Sequence, residues 1–170
     1  MASVPMQVPS PRKAADSSSV LVRWMGLVDA NSAGYVHGGT VMKLCDEVAG
    51  LAAVRHSRCR VVTAGMDRMT FLEPIHIGEL VTFTASVNAA WRTSMEVGVR
   101  VEAEQPREGR LRHTNTAYLT MVALDDDGRP TEVPPLEAVS DDERRREREA
   151  QTRRRNRLSE RDELQRDRSA

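Results

Sequence analysis

A single stretch of helical spacing stands ahead of four successive stretches of strand character, and that order restricts the fold more than any other feature of the chain. The helical stretch places apolar residues at Val41, Leu44, Cys45, Val48, Leu51 and Ala52. Spacings of three and four put these on one buried stripe, ending near His56, for about five turns. Before it, Val20 to Met25 is rich in β-branched and aromatic residues and closes at Gly26, which predicts a first strand. After it, a strand opens at Arg60 and continues to Phe71, with Pro74 and Gly78 marking the following turn. Val81, Phe83, Ala85 and Val87 alternate with polar neighbours, as do Val97, Val99, Val101 and Ala103. A last strand runs from Arg112 to Leu124 and ends in the turn at Asp125 to Gly128. Strand, helix and four strands in succession argue against a doubly wound parallel sheet. They predict an α+β domain, one antiparallel sheet packed on one helix.

The domain is expected over residues 20–135. Residues 1–19 combine prolines and serines with few bulky apolar groups and read as a flexible arm. Residues 136–170 are dominated by Arg and Glu, with Leu158 and Leu164 as large apolar groups after Ser140, and read as a charged helix or a disordered tail. Ser140 with Glu143 three residues on is a capping box for a helix there. The formal net charge is zero. Neither half has the positive excess of a nucleic-acid binder. Cys45 and Cys59 are too few for a disulfide framework and lack zinc-ligand spacing, so no metal site is expected. No stretch reaches the apolar length of a membrane span and residues 1–19 lack a signal peptide's apolar run, which predicts a cytoplasmic protein.

Three features fall close together: Asn31 in a loop of turn-forming residues, Gly38-Gly39 at the helix start, and Asp46 two turns along. Singly, each has a plain structural explanation: an Asx turn, close packing, a solvated helix residue. Jointly they say more. Asp46 lies about 140° around the helix from Val41, on a face shared with Gly39, Met42, Ala49, Gly50 and Ala53. Small residues around one carboxylate admit a ligand. The free N–H groups and positive dipole end at the helix start suit an oxygen that gains negative charge in acyl transfer. Asp46 can then direct water, or attack itself, while Asn31 orients the water or the carbonyl. Glu47 sits on the opposite flank of the stripe, which speaks against a glycosidase-like carboxylate pair.

The run from Asn31 through Val36-His37-Gly38-Gly39 and Asp46 to Gly50 is followed by Val61-Val62-Thr63-Ala64, Phe71-Leu72-Glu73-Pro74-Ile75-His76-Ile77-Gly78 and Arg92-Thr93-Ser94-Met95-Glu96-Val97. In this order, from about Val20 to about Leu124, these motifs resemble the YciA and brain acyl-CoA hydrolase group of hotdog thioesterases. The resemblance implies a long central helix wrapped by a five-stranded antiparallel sheet, dimers whose sheets join, and often a hexamer built from three dimers. It implies acyl-CoA as the substrate, no cofactor, and sites at the dimer interface drawing Asn31 and Asp46 from different protomers. The amide of Gly39, with Gly38 beside it, would meet the thioester carbonyl. Coenzyme A would leave past Arg92, Thr93 and Ser94, with Arg92 as a phosphate partner. Vertebrate members carry two such domains in one chain; with one domain here, a homo-oligomer must supply both residues.

Two other functions compete. An acyl-thioester hydratase or dehydratase would need His37 as general base, and a noncatalytic module would bind CoA esters or nucleotides without hydrolysis. His37 reads more simply as packing at the helix start, while His56, His76 and His113 have no spaced partners. Met42, Met66 and Met69 are candidates to line an acyl tunnel, though Met is equally common as core filler.

Overall fold

The computed structural model describes residues 10–67 and 69–169. In chain order the elements are β1 (Arg12–Lys13), α1 (Ala14–Ser17), β2 (Ser19–Trp24), α2 (Gly38–Ser57), β3 (Arg60–Met66), β4 (Leu80–Ala90), β5 (Ser94–Gln105), β6 (Arg110–Leu124), β7 (Leu136–Glu137) and α3 (Asp141–Ser169). Five strands form one antiparallel sheet in the order β2-β4-β5-β6-β3. This is the predicted α+β arrangement, a hotdog fold with the sheet curled about α2. Strands β2 and β3 are its two edges.

The inner face of the sheet is apolar because strand side chains alternate. Val81, Phe83, Ala85 and Val87 of β4, Val97 to Ala103 at alternate positions of β5, and Ala117, Leu119, Met121 and Ala123 of β6 are all buried against α2. Helix α2 answers with Val41, Leu44, Cys45, Val48, Ala49, Ala52 and Ala53. Its buried stripe is displaced from the predicted one: Ala49 and Ala53, expected beside Asp46, are fully buried, whereas Leu51 is 53% exposed. Arg58 at φ 59° ends the helix in a left-handed cap that donates to the Val54 carbonyl.

Two other departures are physical. Strand β3 stops at Met66 rather than continuing to Phe71, and the Asp67 carboxylate is held by Arg157 from α3. The segment read as a flexible arm is ordered from Arg12 onward. Small side chains and hydrogen bonds hold it, not bulky apolar groups. Ala14 and Ser17 are buried, the Ser17 hydroxyl donates to the Ala14 carbonyl at 2.7 Å and accepts the Val87 N–H at 2.9 Å, and β1 pairs with β7. Residues 1–9 of that arm lie outside the described residues.

The outer face of the sheet is polar, and α3 lies across it. The helix opens with the predicted capping box: Ser140 Oγ accepts the Glu143 N–H, and the Glu143 carboxylate accepts the Ser140 N–H. Arg146 donates to Ser86 on β4; Arg153 grips Glu96 on β5 at 2.7 Å and lies 3.6 Å over the Tyr118 ring of β6; Arg157 holds Asp67 with two 2.9 Å bonds. Trp91 donates to Gln151 and stacks under Arg154. Glu96 is thereby fully buried. Beneath it Gly98 has no room for a side chain, since a Cβ would sit 2.5 Å from Asn88 Nδ2.

Candidate active site

Asn31 sits in a tight loop bridged by the Ala30–Val36 pair. Its Oδ1 accepts the N–H groups of Ala33 (2.9 Å) and Tyr35 (3.2 Å), the Asx turn that its residue type favours. Because both donors are backbone amides, they fix which end of the side chain is oxygen, and the Nδ2 amide is left to donate elsewhere. Asn31 lines a pocket of about 380 Å³ with Tyr35, Gly38, Val41, Phe71 and Ile75. Arg112 braces the wall of this pocket by donating to Glu73 at 2.7 Å and to the buried Glu79 at 2.6 Å. The two carboxylates raise the Arg112 pKa above its ordinary value.

The start of α2 is capped by His37, whose Nδ1 accepts the Gly39 N–H at 3.0 Å. The imidazole therefore carries its proton on Nε2 when neutral. The amide expected to meet a carbonyl, that of Gly39, is thus engaged by an exposed side chain. The Gly38 amide has no partner among the described residues, and Phe71 packs 3.3 Å from where a Gly38 Cβ would stand.

Asp46 is half-buried on α2, and its Oδ1 accepts the hydroxyl of Thr63 at 2.5 Å. Thr63 also lies 3.3 Å from the Met121 sulfur, but a carboxylate is the far stronger acceptor for its single proton. One carboxylate oxygen is thereby fixed and the other remains open. Thr63 was not singled out as a site residue from the sequence; the signal was its place in the Val61-Val62-Thr63-Ala64 motif. The neighbouring Cys45 thiol is pushed up to about 12 by burial and by the Asp46 charge.

Within one chain these parts form two groups. Asn31 and Gly38 share the pocket, while Asp46 lies eight residues beyond Gly38 along α2, roughly 12 Å by helical rise, where Thr63 of β3 meets it. The ladder Thr63–Met121–Met95 places the Arg92-Thr93-Ser94 turn two strands from Thr63, about 10 Å across the sheet. Arg92 is exposed and its side chain has no partner among the described residues. Met42 is 42% exposed, and Met66 lines a separate groove beneath α3. Neither lines the Asn31 pocket.

The chain matches the Thioesterase superfamily over residues 33–110. An acyl-CoA hydrolase from Staphylococcus aureus, solved with butyryl coenzyme A, coenzyme A and coenzyme A disulfide, superimposes with a TM-score of 0.85 at 32% identity, over 91% of this chain and 94% of that one. The chain belongs to the hotdog-fold acyl-CoA thioesterases. This thioesterase-family chain is also 38% identical to Protein VdlD of Helicobacter pylori, over 78% of its length and 76% of that protein. It is 35% identical to the rat cytosolic acyl coenzyme A thioester hydrolase, of whose length it spans 38%. A hexameric acyl-CoA thioesterase superimposes with a TM-score of 0.86 at 33% identity, over 89% of this chain and 97% of that one. The Staphylococcus aureus enzyme has also been solved with a single aspartate, asparagine or threonine replaced by alanine, at TM-scores of 0.86, 0.87 and 0.84. Among the described residues no helix is long and apolar enough to cross a membrane.

Proposed function

We propose that the protein hydrolyses acyl-CoA thioesters to a carboxylic acid and coenzyme A, at sites formed between two copies of the chain. The observation that carries the reading is the Asp46–Thr63 pair on an open surface beside edge strand β3. The three positions replaced in the Staphylococcus aureus enzyme are separated along its chain as Asn31, Asp46 and Thr63 are along this one, and agree with them in residue type.

Thr63 holds one oxygen of Asp46, and the other faces the reacting carbon, either taking a proton from attacking water or adding to the carbonyl itself. The Asn31 amide donates to the water or carbonyl oxygen, because its own oxygen is spent on the loop. The Gly39 N–H, freed as the exposed His37 ring turns away, and the adjoining Gly38 N–H stabilise the oxyanion at the positive end of α2. Collapse of the tetrahedral species expels the coenzyme A thiolate, which takes up a proton; where Asp46 itself has added, water then cleaves the acyl–Asp46 anhydride to release the acid and restore the carboxylate. Coenzyme A leaves past Thr93 and Ser94, with Arg92 pairing a phosphate.

Asn31 lines the pocket at the start of α2 and Asp46 does not, so the partner supplies one of them. Joining two β3 edges brings a second copy against the exposed face of Met42, Asp46 and Val54. A two-fold axis makes both sites equivalent. Three such dimers would give the hexamer seen in the related enzyme. A reducing, cytoplasmic setting suits two free cysteines and the cytosolic relative.

Thiol release from a series of short to long acyl-CoAs, by the protein and by Asp46→Ala, tests the activity. Loss of about 10³-fold or more in kcat is expected for the variant; binding of esters without thiol release by the parent would replace hydrolysis with a noncatalytic binding role. Mixing the Asn31→Ala and Asp46→Ala chains tests the shared site. Restoration toward roughly a quarter of parental activity is expected, since half the dimers are mixed and each carries one intact site. No restoration would place the site within one chain.

A further inference from the structure

The contacts of α3 follow one stripe: Arg146, Ala150, Arg153 and Arg157 meet the sheet at β4, β5, β6 and then Asp67 just beyond β3. The helix therefore travels toward the open β3 edge and leaves the domain there. It continues for twelve residues past Arg157, roughly 18 Å, the width of nearly four strands. The stripe continues with it. Leu164 is one heptad beyond Arg157 and two beyond Ala150, yet it is 53% exposed, because no sheet remains under it.

We infer that this overhang, Leu158 to Ser169, clasps the second copy of the chain by lying on the outer face of its sheet. The inference rests on the β3-to-β3 pairing proposed above. Two copies of one edge strand related by a two-fold axis run antiparallel. The Met66 end of one β3, where α3 departs, then abuts the Arg60 end of the other. On that end the outer face carries Val62, 47% exposed, paired with Val122, and neither is covered by its own α3. Leu164 has an apolar patch to meet there. The turn Asp125 to Asp127 lies beside Arg60, whose guanidinium reaches the carbonyls of Asp125 and Asp126. That turn gives the arginines of the last helical turn, Arg166 and Arg168, a carboxylate cluster to face. A charged helix with almost no apolar surface thus carries its one exposed leucine where the stripe crosses onto the partner.

The test uses the full chain with Cys59→Ser, Leu164→Cys and Val62→Cys, treated with a short bismaleimide; buried Cys45 is unreactive. Joining of position 164 of one chain to position 62 of the other, identified by peptide mass mapping, is expected from the combined variant; Val62→Cys alone joins chains across the two-fold axis, where the paired β3 edges bring the two positions within roughly 8 Å, and Leu164→Cys alone does not. A chain closed on itself, pairs joined by Leu164→Cys alone, or no joining of 164 to 62 in a protein that sediments as a dimer would each overturn the clasp. A monomer throughout would instead remove the edge-pairing reading, and the clasp with it. Ending the chain after Arg157 provides a second measure: the dimer Kd should rise about tenfold, the contribution of the one leucine laid on the partner. An unchanged Kd would refute the clasp while leaving the β3 pairing intact.

Discussion

One sheet in this protein carries two helices, and they are held by different physics. Helix α2 meets the inner face chiefly through Val, Leu, Ala, Cys, Met and Phe, while α3 meets the outer face through arginines gripping Glu96, Tyr118 and Asp67, with Ala150 fully buried. The first attachment is driven by removing apolar area from water and has no angular demand. The second needs each charge to find its partner, because Glu96 without Arg153 would be a buried anion with little compensation. A helix attached the first way builds the core; one attached the second way can leave without dissolving it.

The largest expected difference comes from a cavity on the inner face. Leu119→Ala should lower the unfolding free energy by about 3–5 kcal/mol, shifting the denaturant midpoint of the whole domain. On the outer face Arg153→Met should cost less, about 2–3 kcal/mol, since α3 can lift and let water reach Glu96. Its signature is early protease cleavage within α3 while near-ultraviolet dichroism of the domain persists. If both variants lose the fold in one step, the two attachments are not separable.

Acid sharpens the contrast from the inner side. Burial lowers the pKa of His56, which is fully enclosed with Nε2 bonded to the Pro134 carbonyl; that bond and Asp16 oppose the shift, and Arg12 adds to it. The unfolded chain therefore binds this proton more readily than the folded one. Stability is retained above the unfolded value of about 6.5 and falls as pH drops below it, by up to about 1.4 kcal/mol per pH unit. A His56→Gln variant should flatten that slope in urea titrations between pH 6.5 and 5. The smallest effect is that of salt. Raising ionic strength to 1 M should weaken α3 docking by about 0.5 kcal/mol or less, read as faster proteolysis of α3, with no loss at the inner face.

The same division explains what could be read from the sequence. Inner-face elements announce themselves by period: the β4 and β5 alternations are found where expected, and α2 begins and ends within a few residues of its stripe. The docking of α3 has no such signal, because its contact residues are the same Arg and Glu that elsewhere face water; only the Ser140 and Glu143 cap was visible. The N-terminal segment escaped for a related reason, being held by the hydroxyl of Ser17 rather than by bulk. In the proposed site, Asn31, Gly39 and Asp46 are picked out by residue type and spacing. That His37 caps Gly39, and that Thr63 holds Asp46, depends on contacts between separate elements that spacing along the chain does not encode.

Cys45 stands next in the chain to Asp46, yet its thiol, pushed up to about 12 by burial and the Asp46 charge, stays protonated at neutral pH. Disulfide exchange requires the thiolate. A chain that liberates the coenzyme A thiol as proposed above would thus keep the cysteine beside Asp46 out of the disulfide exchange that thiol enters. Its activity should withstand coenzyme A disulfide at concentrations that capture Cys59.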